Sequence, residues 1–192
     1  MKLLESASRA IDSLNRRIGR ATIWLILGSI VVSAGNAVMR KAFGLSSNLW
    51  LELQWQLYGA AFMCAAAYVL LVDEHVRIDV VSQRFGPRLR AWLDIAVLLL
   101  IVFPVCLLML AFGGAMALHA WRSGETSFHP GGPVLWPIIV CIPLGFGLLG
   151  LQVISELIKR VGFLFGRREK PALSEAELPE FMPEASASGD TR

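Results

Sequence analysis

The residues able to do acid–base, metal or redox chemistry are few and far apart. Histidine occurs three times, at His75, His119 and His129. A haem pair inside a membrane bundle needs four facing axial ligands, so the count excludes it, and no HExxH motif or Cys/His cluster suggests zinc. His75 and Asp79 stand four apart, which could place them on one helical face, yet two ligands alone make a poor metal site. Cys64, Cys106 and Cys141 form no CxxC pair and sit in apolar runs, where they read as small apolar residues; no disulfide is expected. No Ser, Cys or Lys stands where a base would activate it, and no pair of buried carboxylates is apparent. The chemistry-bearing residues therefore predict no enzyme, no bound metal and no cofactor.

The densest polar group is Asp73–Val81, DEHVRIDVV, directly after a long apolar run. Asp73 with Arg77, and His75 with Asp79, are i, i+4 pairs, the first with the acid leading, the better order on a helix. Val76, Ile78, Val80 and Val81 remain apolar between them. A wetted turn explains the charges and leaves these apolar residues unexplained; an elbow at a membrane boundary explains both.

A second group lies at the edges of apolar runs. Ser29, Ser33 and Asn36 are spaced four and three apart and share a helical face. Trp50-Leu51-Glu52-Leu53-Gln54-Trp55-Gln56 opens the next run, with Trp50 and Trp55 suited to an aromatic belt. Glu52 lies at a depth similar to Asn36, and a helical hairpin could bring the two together. A carboxylate at that depth should face protein or water; the alternative is a helix-starting Glu favoured by the N-terminal dipole and simply wetted. Gly145-Phe146-Gly147-Leu148-Leu149-Gly150 matches GxGxxG, but inside an apolar helix it reads as a smooth surface for close packing, not a dinucleotide loop. Gly113-Gly114 and the small residues of 59–67 read the same way.

These residues need elements to hold them. Of 192 residues, 55% are apolar and only 17% charged, too greasy for an ordinary soluble domain. Four runs are long enough to cross a hydrocarbon core of about 30 Å: residues 21–39, 49–72, 92–118 and 134–158. Lipid offers no partner to a free backbone N–H or C=O, so each must be helical, and none alternates as a barrel strand would. Pro104, Pro137 and Pro143 are expected as kinks. The predicted fold class is all-α: an integral membrane protein with four transmembrane helices over 21–165.

Residues 1–20 put Leu3, Leu4, Ala7, Ile11, Leu14 and Ile18 on one face and Lys2, Arg9, Asp12, Arg16 and Arg17 on the other. That predicts an amphipathic interfacial helix running into the first span. Residues 166–192, rich in Pro, Ser, Ala and Glu, predict a disordered cytoplasmic tail. Fourteen Lys and Arg flank the termini and the second connection, against three (Arg40, Lys41, Arg122) in the other two, with distal Arg192 left out. This asymmetry predicts both termini in the cytoplasm. The net charge of +3 is then a topology signal with membrane lipids as its counterpart, and nothing suggests nucleic acid.

The chain resembles the small, DctQ-type membrane subunits of tripartite ATP-independent periplasmic (TRAP) transporters. The resemblance rests on Trp50 and Glu52, on Gly59-Ala60-Ala61, and above all on Glu74-His75-Val76-Arg77-Ile78-Asp79. Gly124-Glu125-Thr126-Ser127, Pro133, Trp136-Pro137 and Ile142-Pro143-Leu144-Gly145 add to it, over roughly residues 10–165. It implies a small permease subunit in the bacterial inner membrane, bracing a separate large membrane permease subunit that carries the solute and sodium sites. A periplasmic solute-binding protein would deliver organic acids, with uptake driven by a sodium gradient. Asn36, Trp50, Glu52, Trp55, Glu74, His75, Arg77 and Asp79 are the expected partner-contact or structural residues. The alternative is an independent small four-helix transporter working as a homodimer; such proteins usually keep a membrane-central carboxylate, whereas Glu52, Asp94 and Glu156 lie near span ends.

Overall fold

The computed structural model describes residues 2–44, 47–72 and 87–165. Helix α1 covers Lys2–Phe43, α2 Asn48–Val72, α3 Pro87–Val97, α4 Phe103–Ser123 and α5 Trp136–Leu164. A single π-helical turn, Leu98–Val102, joins α3 to α4 and makes one long third element of them. Its cause lies in the next residues: Pro104 has no N–H to donate and its ring would strike a carbonyl one turn back, and the wider turn relieves both. Phe103 instead donates its N–H to Leu98 O.

Four helices, Leu4–Phe43, Asn48–Val72, Ala91–Ser123 and Trp136–Leu164, are long and apolar enough to cross a membrane. Among the described residues no strand forms, and the only extended pairing is one bridge between Thr126 and Val134. The EHVRID stretch and residues 166–192 lie outside the described residues.

Helix α5 is the hub of the bundle. It packs against α1, α2, α3 and α4, and α1 also packs along α2. Small residues allow the approach: a Cβ on Gly145 would stand 2.6 Å from the Met63 backbone oxygen, and one on Gly113 would stand 3.1 Å from Ile142. Gly147 and Gly150 face Leu110 and Cys106 of α4. The GxGxxG letters thus mark close contacts of a helix with two neighbours, as small residues do where lipid supplies no hydrophobic drive to associate. The apolar core centres on Leu70, Leu98 and Val153, with Val102, Phe103, Leu149 and Leu157 packed around them. Outward-facing residues such as Ile30 on α1, Leu100 in the π turn and Phe112 on α4 are exposed and apolar, as the lipid-facing side of a span must be.

Helix α1 is longer than a bilayer core requires. Its 42 residues rise about 63 Å. Residues 2–20 run into the first span without a break. Gly19 lies against Tyr68 of α2, whose last residue is Val72, so Asn15, Asp12 and Ser8 stand level with the end of α2 or beyond it. There they face α5. Asp12 consequently leaves the solvated basic face on which its spacing had placed it. Of the three prolines, Pro104 follows the π turn within the long third element and Pro143 lies inside α5, whereas Pro137 occupies the first turn of α5, where the missing N–H has no intrahelical acceptor to lose.

Candidate functional site

The buried polar side chains gather at two opposite ends of the bundle. At the end carrying the N-terminus, α1 and α5 present complementary stripes. Ser8, Asp12 and Asn15 repeat at four and three along α1, and Gln152, Ser155, Glu156 and Lys159 repeat at three and four along α5, which makes each set one face. Gln152 is the junction. It accepts from Asn15 Nδ2 at 2.8 Å and donates from Nε2 to Asp12 Oδ1 at 3.0 Å and to Glu156 Oε1 at 3.3 Å. The Ser155 hydroxyl lies 2.7 Å from Asp12 Oδ1 and from the Ser8 hydroxyl.

The charges sit around that junction. Lys159 Nζ is 2.7 Å from Asp12 Oδ2 and 2.8 Å from Glu156 Oε1, and Arg160 Nη1 is 2.7 Å from Asp94 Oδ2 of α3. Gln152 and Ser155 are fully enclosed, and Glu156, Lys159 and Arg160 are buried. Buried charge is tolerated only when paired and hydrogen-bonded. Here the pairing joins three helices, α1, α3 and α5.

At the opposite end Glu52, only 5% exposed, holds down the α4–α5 loop. Its Oε1 accepts the Ser127 hydroxyl at 2.5 Å and lies 2.9 Å from His129 Nδ1. The loop is shaped to reach it. Gly124 in the left-handed region caps α4, and the Ser127 and Leu135 amides donate to the Pro133 and Glu125 carbonyls. Gly132 leaves room, since a Cβ there would stand 2.5 Å from Ser127 Cβ and 3.0 Å from Glu52 Oε1. Asn48 Nδ2 donates to Pro130 O, and Trp121 meets Trp136 edge-to-face with centroids 4.5 Å apart, so the loop is fastened at its tip and its base.

A serine, a histidine and a carboxylate in one cluster invite comparison with a nucleophilic triad, and the geometry answers it. In a triad the imidazole bridges serine and acid through its two different nitrogens. Here the serine hydroxyl donates directly to the carboxylate, and the same imidazole nitrogen, Nδ1, faces both Glu52 and Ser127. The serine proton therefore goes to an acid that is already its partner, and the cluster acts as a latch. Glu52→Ala removes the shared acceptor, a charged hydrogen bond of about 1.5–3 kcal/mol. The expected result is faster amide hydrogen exchange across residues 124–135 with the helical spans unchanged; unchanged exchange in the loop would contradict the latch.

Of the residues singled out from sequence, Glu52 is buried and partnered, although by Ser127 and His129. No described hydrogen bond joins it to Asn36, which is partly exposed on α1. The nearest fulfilment of the hairpin contact is Ser29, whose hydroxyl donates to Gln54 O at 3.0 Å. Trp50 and Trp55 are about half exposed, outward-facing on either side of Glu52. Glu74, His75, Arg77 and Asp79 lie outside the described residues. The cluster of Ser8, Asp12, Asn15, Gln152, Ser155, Glu156, Lys159 and Asp94 escaped sequence reasoning, as did Ser127 and His129. The spacing along α1 and α5 was the available signal; the pairing, across some 140 positions, had none.

Four long apolar helices with polar groups committed to internal pairing at the two ends define a multi-pass membrane protein built by helix packing. The sequence pattern of one family extends over most of this bundle: the DctQ component of tripartite ATP-independent periplasmic transporters matches residues 29–162. The chain belongs to that family and is a small permease subunit of a TRAP transporter, a transport component that associates with the other parts of a tripartite system. No curated protein and no solved structure matches it.

Proposed function

We propose that this subunit is a non-catalytic scaffold that braces a separate large membrane permease subunit in sodium-driven uptake of organic acids. A periplasmic solute-binding protein supplies the solute, and the chain lies in the bacterial inner membrane with both termini cytoplasmic. The observation that carries the scaffold role is the separation of its two polar clusters. Between Glu52 at one end and Gln152 at the other, the buried layer holds Ala61, Ala67, Leu70, Leu98, Cys106, Ala117 and Val153, and its polar members Thr22, Ser29 and Gln56 carry no charge. An ion or proton path needs titratable or carbonyl groups within reach of one another through the bilayer. This interior offers packing instead, and its charges tie helices together.

A brace also needs a surface that stays put. Ties among α1, α3 and α5 at one end and a latched loop at the other restrict relative helix motion. Deleting the chain from its native membrane is expected to abolish sodium-dependent solute uptake, and a tagged copy is expected to bring down one large hydrophobic protein. Uptake at the undeleted rate would overturn the proposal.

A further inference from the structure

We propose that Phe128 is a membrane anchor, inserted at the boundary between head groups and acyl chains of the leaflet on the side opposite the N-terminus. Its side chain is fully exposed, the most exposed large apolar one among the described residues. The latch explains that exposure. Ser127 and His129 both turn toward Glu52, so the residue between them is directed away from the bundle.

Depth identifies what it meets. Glu52 lies between Trp50 and Trp55, both outward-facing, and the loop is rooted at the edge-to-face pair Trp121 and Trp136. Aromatic residues of this kind collect at the membrane–water interface. Consecutive Cα atoms are about 3.8 Å apart, so Phe128 cannot leave the depth of its two latched neighbours. A bare phenyl ring at that level gains by entering the acyl boundary, while the adjacent His129 ring, mostly exposed, stays among polar groups. The loop's bonds to Asn48, Pro133 and Glu125 hold the ring outward in advance, so little conformational freedom is lost on insertion.

The anchor requires only the membrane-embedded chain and goes beyond the transport reading, so either can fail alone. The test uses the full chain carrying C64A, C106A, C141A and Phe128→Cys, spin-labelled and reconstituted in vesicles of phosphatidylethanolamine and phosphatidylglycerol. The expected label collides several-fold more with oxygen than with a water-soluble nickel chelate, like a control label at Phe112 within α4. Adding Ser127→Ala and His129→Ala should shift it several-fold toward the chelate. A label dominated by the chelate with the latch intact, or shielded from both probes as in a protein contact, would overturn the proposal. A benzophenone amino acid at position 128 gives an independent measurement: crosslinks to lipid acyl chains are expected, and crosslinks only to polypeptide, or none, would overturn it.

Discussion

Replacing Lys159 by Met is expected to lower the thermal stability of the purified subunit far more than removing an exposed charge such as Arg9. The ammonium stands 2.7 Å from Asp12 and 2.8 Å from Glu156, and taking it away leaves two carboxylates facing one junction without that cation. Breaking a buried pair by removing one member costs about 3–5 kcal/mol, because the remaining charge keeps its desolvation penalty and loses its partner. That is a large share of the roughly 5–15 kcal/mol by which folded domains are stable. Asp12→Asn combined with Lys159→Met should recover part of the loss, since one of the stranded carboxylates is then gone. A double-mutant cycle on the melting temperature measures the coupling, and additive effects would show that the two residues do not act as a pair.

The second large effect is steric. Gly145→Leu is expected to separate α2 from α5, because its first carbon would already stand 2.6 Å from Met63 O and 2.9 Å from Met63 C. These are backbone atoms of a helix and cannot rotate aside. Overpacking of this kind costs about 1–3 kcal/mol even for modest additions, and Leu adds three carbons beyond the clash. Gly114 and Gly162 are the internal controls: a Cβ at either meets nothing within 4 Å. Ala at those positions should be neutral or slightly stabilising, as Ala is better than Gly within a helix by roughly 0.5–1 kcal/mol. Melting profiles of the three variants in one detergent decide the matter, and a Gly145→Leu protein as stable as Gly114→Ala would refute the close contact.

The four helices were legible because lipid leaves the backbone one solution and the apolar runs are long; length and composition alone imply them. The ends of the helices were less so. Arg9, Arg16, Arg17 and Arg20 make residues 1–20 look like a surface segment, yet nothing in that stretch breaks a helix, and α1 continues through it. Ser8, Asp12 and Asn15 show a helical stripe, but a polar stripe reads equally as a wetted face. Only the matching stripe on α5 turns it inward, and that match exists in three dimensions. Glu52 stood out because a carboxylate beside an apolar run needs a reason. Its actual partners could not be read, because Ser127 and His129 sit in a loop whose course depends on Gly124, Gly131 and Gly132 turning it back over α2. Local spacing finds the residue with a requirement; the tertiary fold chooses what meets it.

In the proposed scaffold role, this chain enables transport without carrying the solute or the ions. The most direct measurement is solute uptake into proteoliposomes under an inward sodium gradient, with the solute-binding protein outside. The large subunit would be present alone, this subunit alone, or both together. Uptake is expected only with both. Transport by this chain alone, or an undiminished rate with the large subunit alone, would contradict that role.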